Sequence, residues 1–166
     1  MKDFLTLARE RCSIRSYEKR KVEKEKRDLI LEAGRLAPTG CNRQGQRLIV
    51  VESEDGLEKV SEAGHTYGAP MAVVVCMKKG GSWIRPSDGR NLMDTDASIV
   101  TDHMMMEASD LGLGSCWICN FDAGVLRRVL SIPDDIEPVN ILLVGYAAGK
   151  GNEKSRKPLS DMVSYR

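Results

Sequence analysis

The chain has 166 residues, 42% of them hydrophobic, and a chain of this length buries roughly 70% of its unfolded surface in one core. Lys and Arg total 25 against 24 Asp and Glu, a formal charge of +1, so no global field argues for nucleic acid or an anionic membrane and any basic site must be local. The N-terminal MKDFLTLARERC lacks the apolar run of a signal peptide, and no stretch approaches the ~20 apolar residues of a membrane span; five cysteines, an odd number, argue against a full disulfide framework. We expect a cytoplasmic protein forming a single domain over residues 1–166, with thiols mostly reduced.

Phe4, Leu7 and Ala8 recur at helical spacing and predict a short helix over residues 2–10. It leads into RCSIRSY, Arg11 to Tyr17. If that segment is extended, Arg11, Ser13 and Arg15 share one face while Cys12 and Ile14 point the other way. Such a face offers forked guanidinium donors and a hydroxyl to an anion with several oxygens, although a solvated basic segment would read the same way. A second helix runs from about Glu23 to Leu36 with Leu29, Ile30, Ala33 and Leu36 as its apolar stripe, stopped by Pro38. PTGCNRQGQ, Pro38 to Gln46, is a loop of small, polar and turn-forming residues. RLIVVE then reads as a strand, the region around Leu57 to Ala63 as a short helix, and MAVVVCM, Met71 to Met77, as a buried strand. Gly80, Gly81, Pro86 and Gly89 mark a loop that also holds Trp83 and Arg85.

Between Asp94 and Leu111 the positions Ala97, Val100, Met104, Ala108 and Leu111 follow the 3.6 period and predict a central core helix, ended by the left-handed geometry open to Gly112 and Gly114. SCWICNFD follows without an assigned element, then a helix from about Asp122 to Leu130 and a strand from Val139 to Tyr146. The tail after Gly149 is polar and basic, with Leu159, Met162 and Val163 as its few apolar anchors; it cannot fold alone. Strands separated by helices favour a layered α/β arrangement over a bundle.

Three constellations carry possible chemistry. An anion site could draw on Arg11, Ser13 and Arg15 from one terminus and Lys154 and Arg156 from the other. Cys116 and Cys119 form a CxxC, but no second pair completes a zinc site, and the motif follows a glycine-capped helix where a redox dithiol opens one. His103 reads as a partly buried packing residue and His65 as solvent-facing. No glycine-rich phosphate loop of the dinucleotide or Walker type is present.

Taken in order, R-x-S-x-R at Arg11 to Arg15, ILEAGRLAPTGCNRQ from Ile30 to Gln44, DASIVTDHMMMEASDLGLGSCWI from Asp96 to Ile118, FDAGVLRRVLSIPDD, LLVGYAAG and SRKPL resemble the FMN-dependent nitroreductases over nearly the whole chain. The resemblance implies an α+β fold, a three-layer α/β/α sandwich with a central mixed, largely antiparallel sheet. It also implies an intertwined homodimer in which a C-terminal arm, about residues 150–166, packs on the partner and one FMN occupies each of two interface clefts. By the same resemblance Arg11, Ser13, Arg156 and Lys154 hold the FMN phosphate and ribityl end, and Arg15 approaches the pyrimidine edge, where a cation stabilises negative charge gained on reduction. Pro38, Thr39, Gly40, Asn42 and Gln44 come from the other subunit, and Cys116, Trp117 and Ile118 cover the ring, largely through backbone groups. The family pattern Asn-x-Gln-Pro-Trp is here Asn42-Arg43-Gln44-Gly45-Gln46, and Cys12 replaces a common basic residue. The implied activity is hydride transfer from NAD(P)H through the flavin to a small nitroaromatic or quinone acceptor by a ping-pong scheme, with no protein nucleophile, metal, nucleic acid or membrane involved. An FMN-binding protein of low turnover, or a related flavin enzyme of other reductive chemistry such as dehalogenation or flavin fragmentation, are the alternatives.

Overall fold

The computed structural model describes residues 3–166. Its elements in chain order are α1 (Phe4–Glu10), α2 (Lys24–Leu36), β1 (Gln46–Val51), α3 (Glu54–Ala63), β2 (Met71–Lys78), α4 (Met93–Asp110), β3 (Gly114–Ile118), α5 (Ala123–Val129) and β4 (Ile136–Gly145), with 3-10 turns at Gly40–Asn42 and Leu159–Asp161. Residue 2, the expected start of the first helix, lies outside the described residues. Asp3, Ser53 and Asp122 cap α1, α3 and α5, each side chain accepting from a backbone N–H three residues on.

The strands form one sheet in the order β1-β2-β4-β3, antiparallel at every step. Parallel pairing enters only as a single bridge, Ser13 to Ser115, so the expected mixed character amounts to that one contact among the described residues. β2 explains the layering. Its Met71, Val73, Val75 and Met77 join Ile30 of α2 and Val100 and Met104 of α4 in one core, while Ala72, Val74 and Cys76 join Val60 of α3 and Leu126 of α5 in the other. A strand covered on both faces reads as an unbroken apolar run, as MAVVVCM does. The result is the α/β/α sandwich expected of an α+β fold.

Several details depart from the sequence reading. In α2 only Ile30 and Gly34 are fully buried; Leu29 and Leu36 stay exposed, because the helix turns its Gly34 edge to α4, where a Cβ would stand 2.8 Å from Met104 Cγ. Gly112 does end α4 in a left-handed conformation (φ 75°), but Gly114 does not: its role is space, since a Cβ there would lie 2.7 Å from Ile14 Cγ1. His103 is exposed, its Nδ1 2.9 Å from the Ile99 carbonyl oxygen, and does not pack in the core. The short GSCWI segment forms the strand that the sequence left unassigned, recruited by the open edge of β4. β4 also begins three residues before the predicted Val139. Its Pro138 sits where the β2 register shifts between Val75 and Cys76, a bulge that tolerates a residue without N–H.

Candidate functional site

The RCSIRSY segment is extended, and the reason is the outer edge of β3. Ile14 N–H donates to the Ser115 carbonyl at 2.9 Å, Ala148 N–H to Ser16 O at 3.0 Å and Glu18 N–H to Tyr146 O at 2.9 Å, so the segment is threaded along the sheet like a fifth strand. Ile14 is buried against Gly114, and its neighbours Ser13 and Arg15 are carried to the surface side. The C-terminal arm closes over them. Gly151 lies directly on Cys12 and Ile14, with no room for a side chain, and Lys154 Nζ donates to the Ala8 carbonyl.

One cavity of about 190 Å³ is the outcome, lined by Arg11, Cys12, Ser13 and Arg15 from the front of the chain and by Asn152, Glu153, Lys154, Ser155 and Arg156 from its end. Of the expected anion site, every member is therefore brought together. Among the described residues no carboxylate lies within ion-pair distance of Arg11, Arg15, Lys154 or Arg156, although Glu153 shares the wall. Partial burial, together with the like charges of Arg11 and Arg156, holds the Lys154 ammonium below the ordinary lysine range. Four cations crowded round one cavity favour a polyanionic group such as a phosphate. An adjoining cavity of about 150 Å³ joins Arg11 to Ser109, Gly112 and Ser115, at the C-terminal end of α4. There the Ser115 hydroxyl is buried without a hydrogen-bond partner among the described residues.

From that end β3 runs back along α4. Cys116 and Ile118 point into the α3/α5 core, while Trp117 turns to the α4 side and lines an open groove with Asp94, Thr95, Ser98, Ile99, Asp102 and His103. Trp117 Nε1 is buried and unpartnered among the described residues. Burial raises the Cys116 thiol above its ordinary value, against a smaller opposing pull from Arg15 and Arg11, which leaves it no activated nucleophile.

The Pro38 to Gln44 loop lies elsewhere. Gly40 N–H donates to Asp96 Oδ1 at 2.8 Å, and a Cβ on Gly40 would stand 3.3 Å from Leu92 and from Trp83, which fixes the loop at the N-terminal end of α4. The 18 residues of α4 span about 27 Å, so one chain holds its loop and its cation cavity at opposite ends of the helix. Within the loop Cys41, Asn42 and Gln44 all adopt left-handed conformations, and Pro38, Asn42 and Gln44 are exposed. At Gly45, where the family pattern has Pro, a Cβ would stand 2.8 Å from the Gly81 carbonyl oxygen, and Lys78 N–H donates to Gly45 O at 2.8 Å. Asp96 escaped the sequence reading. Its only signal was an acidic residue on the first turn of a helix otherwise read for its apolar stripe.

The donor set of the cation cavity suits a phosphate-bearing ligand. Comparison with known proteins gives the family. A family model described as the nitroreductase family matches residues 8–66 and 61–146. Over 160 residues the chain is 32% identical to a candidate NADH dehydrogenase/NAD(P)H nitroreductase of Methanothermobacter thermautotrophicus, covering 88% of this chain and 78% of that one. A crystal structure of a nitroreductase family protein from Clostridium difficile 630 is 50% identical, covers 99% of this chain and 98% of its own, and superposes with a TM-score of 0.95. An FMN-dependent nitroreductase from Clostridium difficile R20291 is 30% identical over 95% of this chain and 94% of its own, with a TM-score of 0.76. The chain belongs to the nitroreductase family. Among the described residues no helix is long and apolar enough to cross a membrane.

Proposed function

We propose that two copies of this chain form an FMN-dependent, NAD(P)H-consuming oxidoreductase with one flavin at each of two shared clefts. The observation that carries the reading is the convergence of Arg11, Ser13, Arg15, Lys154 and Arg156 from opposite chain ends on one cavity. Arg11, Ser13, Lys154 and Arg156 bind the phosphate and ribityl end. Arg15, one strand position further along the same face, serves the pyrimidine edge, where its guanidinium stabilises negative charge. Cys116, Trp117 and Ile118 bear on the ring, Trp117 by stacking and the others through backbone. Pro38, Thr39, Gly40, Asn42 and Gln44 act on the flavin of the other copy, as the family resemblance implies; in their own chain they stand a helix length from the cation cavity.

Exposed apolar groups support the dimer. Phe4 and Leu5 of α1, Leu29 and Leu36 of α2, and Leu159 and Met162 of the arm (70% exposed each) need a cover that one chain does not provide. When bound, FMN supplies the hydride chemistry between nicotinamide and acceptor. The chain's own residues bind, orient and tune, and none is asked to act as nucleophile or metal ligand. Nitroaromatics and quinones are the acceptor class, reached from the cleft that the Gly45 loop reshapes.

The test is direct. Purified protein should be yellow; anaerobic NADH or NADPH should bleach the flavin, and a quinone or nitroaromatic should restore the colour. Material that takes up no FMN in excess, or whose bound flavin no nicotinamide bleaches, would remove the proposal.

A further inference from the structure

Asp96 is 1% exposed on the first turn of α4. One carboxylate oxygen accepts the Gly40 N–H at 2.8 Å; the other is buried and finds no hydrogen-bond partner among the described residues. The Gly40 bond is also distinctive by position. Among the described residues it is the one side-chain hydrogen bond that ties the Pro38 to Gln44 loop to the rest of the protein; the others, Gln44 N–H to Thr39 Oγ1 at 3.0 Å and Gln44 Nε2 to Asn42 O at 3.3 Å, stay within the loop. Three left-handed residues other than glycine persist only where their surroundings over-determine them.

We infer that Asp96 is a positioning residue that acts in trans: through Gly40 it sets the place of the loop that one copy presents to the flavin held by the Arg11 cavity of the other. This rests on the dimeric FMN reading above and adds to it the residue through which α4, the longest rigid element, aims the loop. Asp96 touches no flavin itself. Its effect passes through the Gly40 backbone to Thr39, Asn42 and Gln44.

The experiment uses mixed dimers, made by co-expressing two differently tagged copies and purifying through both tags. FMN binding is read by quenching of flavin fluorescence. Asp96→Ala homodimers should bind FMN at least about tenfold more weakly, the range expected for losing a charge-assisted hydrogen bond, whereas Asp96→Asn should recover most of the affinity because it keeps an acceptor for Gly40. In a dimer pairing one Asp96→Ala copy with one Arg11→Gln copy, action in trans leaves one cleft intact and spoils the other doubly. Half the clefts should then bind FMN as the unaltered protein does. Two clefts each weakened, with neither binding as the unaltered protein does, would mean that the loop acts within its own chain, and undiminished binding by Asp96→Ala homodimers would mean that Asp96 positions nothing; either overturns the inference. If Asp96→Ala does not assemble, Asp96→Ser takes its place in the same pairing, judged by the same outcomes. Unaltered protein that binds no FMN would instead fail the functional reading itself.

Discussion

Gly114→Ala should weaken both the fold and the flavin site, through a single contact. Gly114 opens β3 directly beneath Ile14, and the added methyl would stand 2.7, 3.1 and 3.2 Å from Ile14 Cγ1, Cβ and Cγ2. Ordinary contact begins near 3.4 Å, so Ile14 must withdraw by about 0.7 Å. It cannot do so freely, because its N–H is bonded to the Ser115 carbonyl at 2.9 Å and the Gly151 backbone closes the other side. Overpacking of this kind costs about 1–3 kcal/mol, while the stiffer unfolded chain of an alanine returns about 0.4–1 kcal/mol. The net is a loss of about 1–2 kcal/mol, or roughly 2–8 °C in melting temperature for a chain of this size. Any withdrawal of Ile14 drags Ser13 and Arg15 with it, so FMN should dissociate more readily as well. Thermal melts of the flavin-free protein and fluorescence titration with FMN read the two effects separately. In an Ile14→Ala background, which removes both γ carbons and leaves only the 3.1 Å approach to Cβ, the same substitution should cost much less, and this double-mutant cycle isolates the contact. A loss of equal size in both backgrounds, or none in either, would refute the reasoning.

Arg11→Gln and Arg156→Gln should each weaken FMN binding about 10- to 100-fold, the range for one charge-assisted bond to phosphate, with a shallower salt dependence of the dissociation constant checked by titration at several ionic strengths. Met104→Ala, which empties a fully buried position between α2 and α4, should cost about 2–5 kcal/mol in urea unfolding. The Tyr146 hydroxyl donates to Glu23 Oε2 at 2.8 Å and, chiefly by that bond, holds the Glu23 carboxyl down at about 2. A carboxyl depressed in the folded state stabilises above its unfolded value near 4.5 and loses that stabilisation as pH falls toward 2. Melting temperatures of the native protein should therefore fall across that window, and Tyr146→Phe should flatten that part of the profile.

The local elements were legible because local chemistry makes them. The 3.6 period of Ala97, Val100, Met104 and Ala108 declared α4, and the apolar run of MAVVVCM declared a strand covered on both faces. The alternation of Arg11, Ser13 and Arg15 was visible too, since a period of two needs only an extended backbone. What no single segment contained was any relation between distant residues. GSCWI has no pattern of its own and became a strand only because β4 offered unpaired backbone groups; Gly114 looked like a helix stop and proved to be a space for Ile14. Leu29 and Leu36 matched the periodicity of a buried stripe, yet α2 meets α4 along Gly34 and leaves them exposed. Asp96 has the same limit, for its meaning lies in a hydrogen bond to Gly40, 56 residues away. Periodicity and turn chemistry act over a few residues and so are written in the sequence. Which backbone meets which, and where a missing Cβ or a buried carboxylate matters, depends on contacts that exist only after the layers have packed.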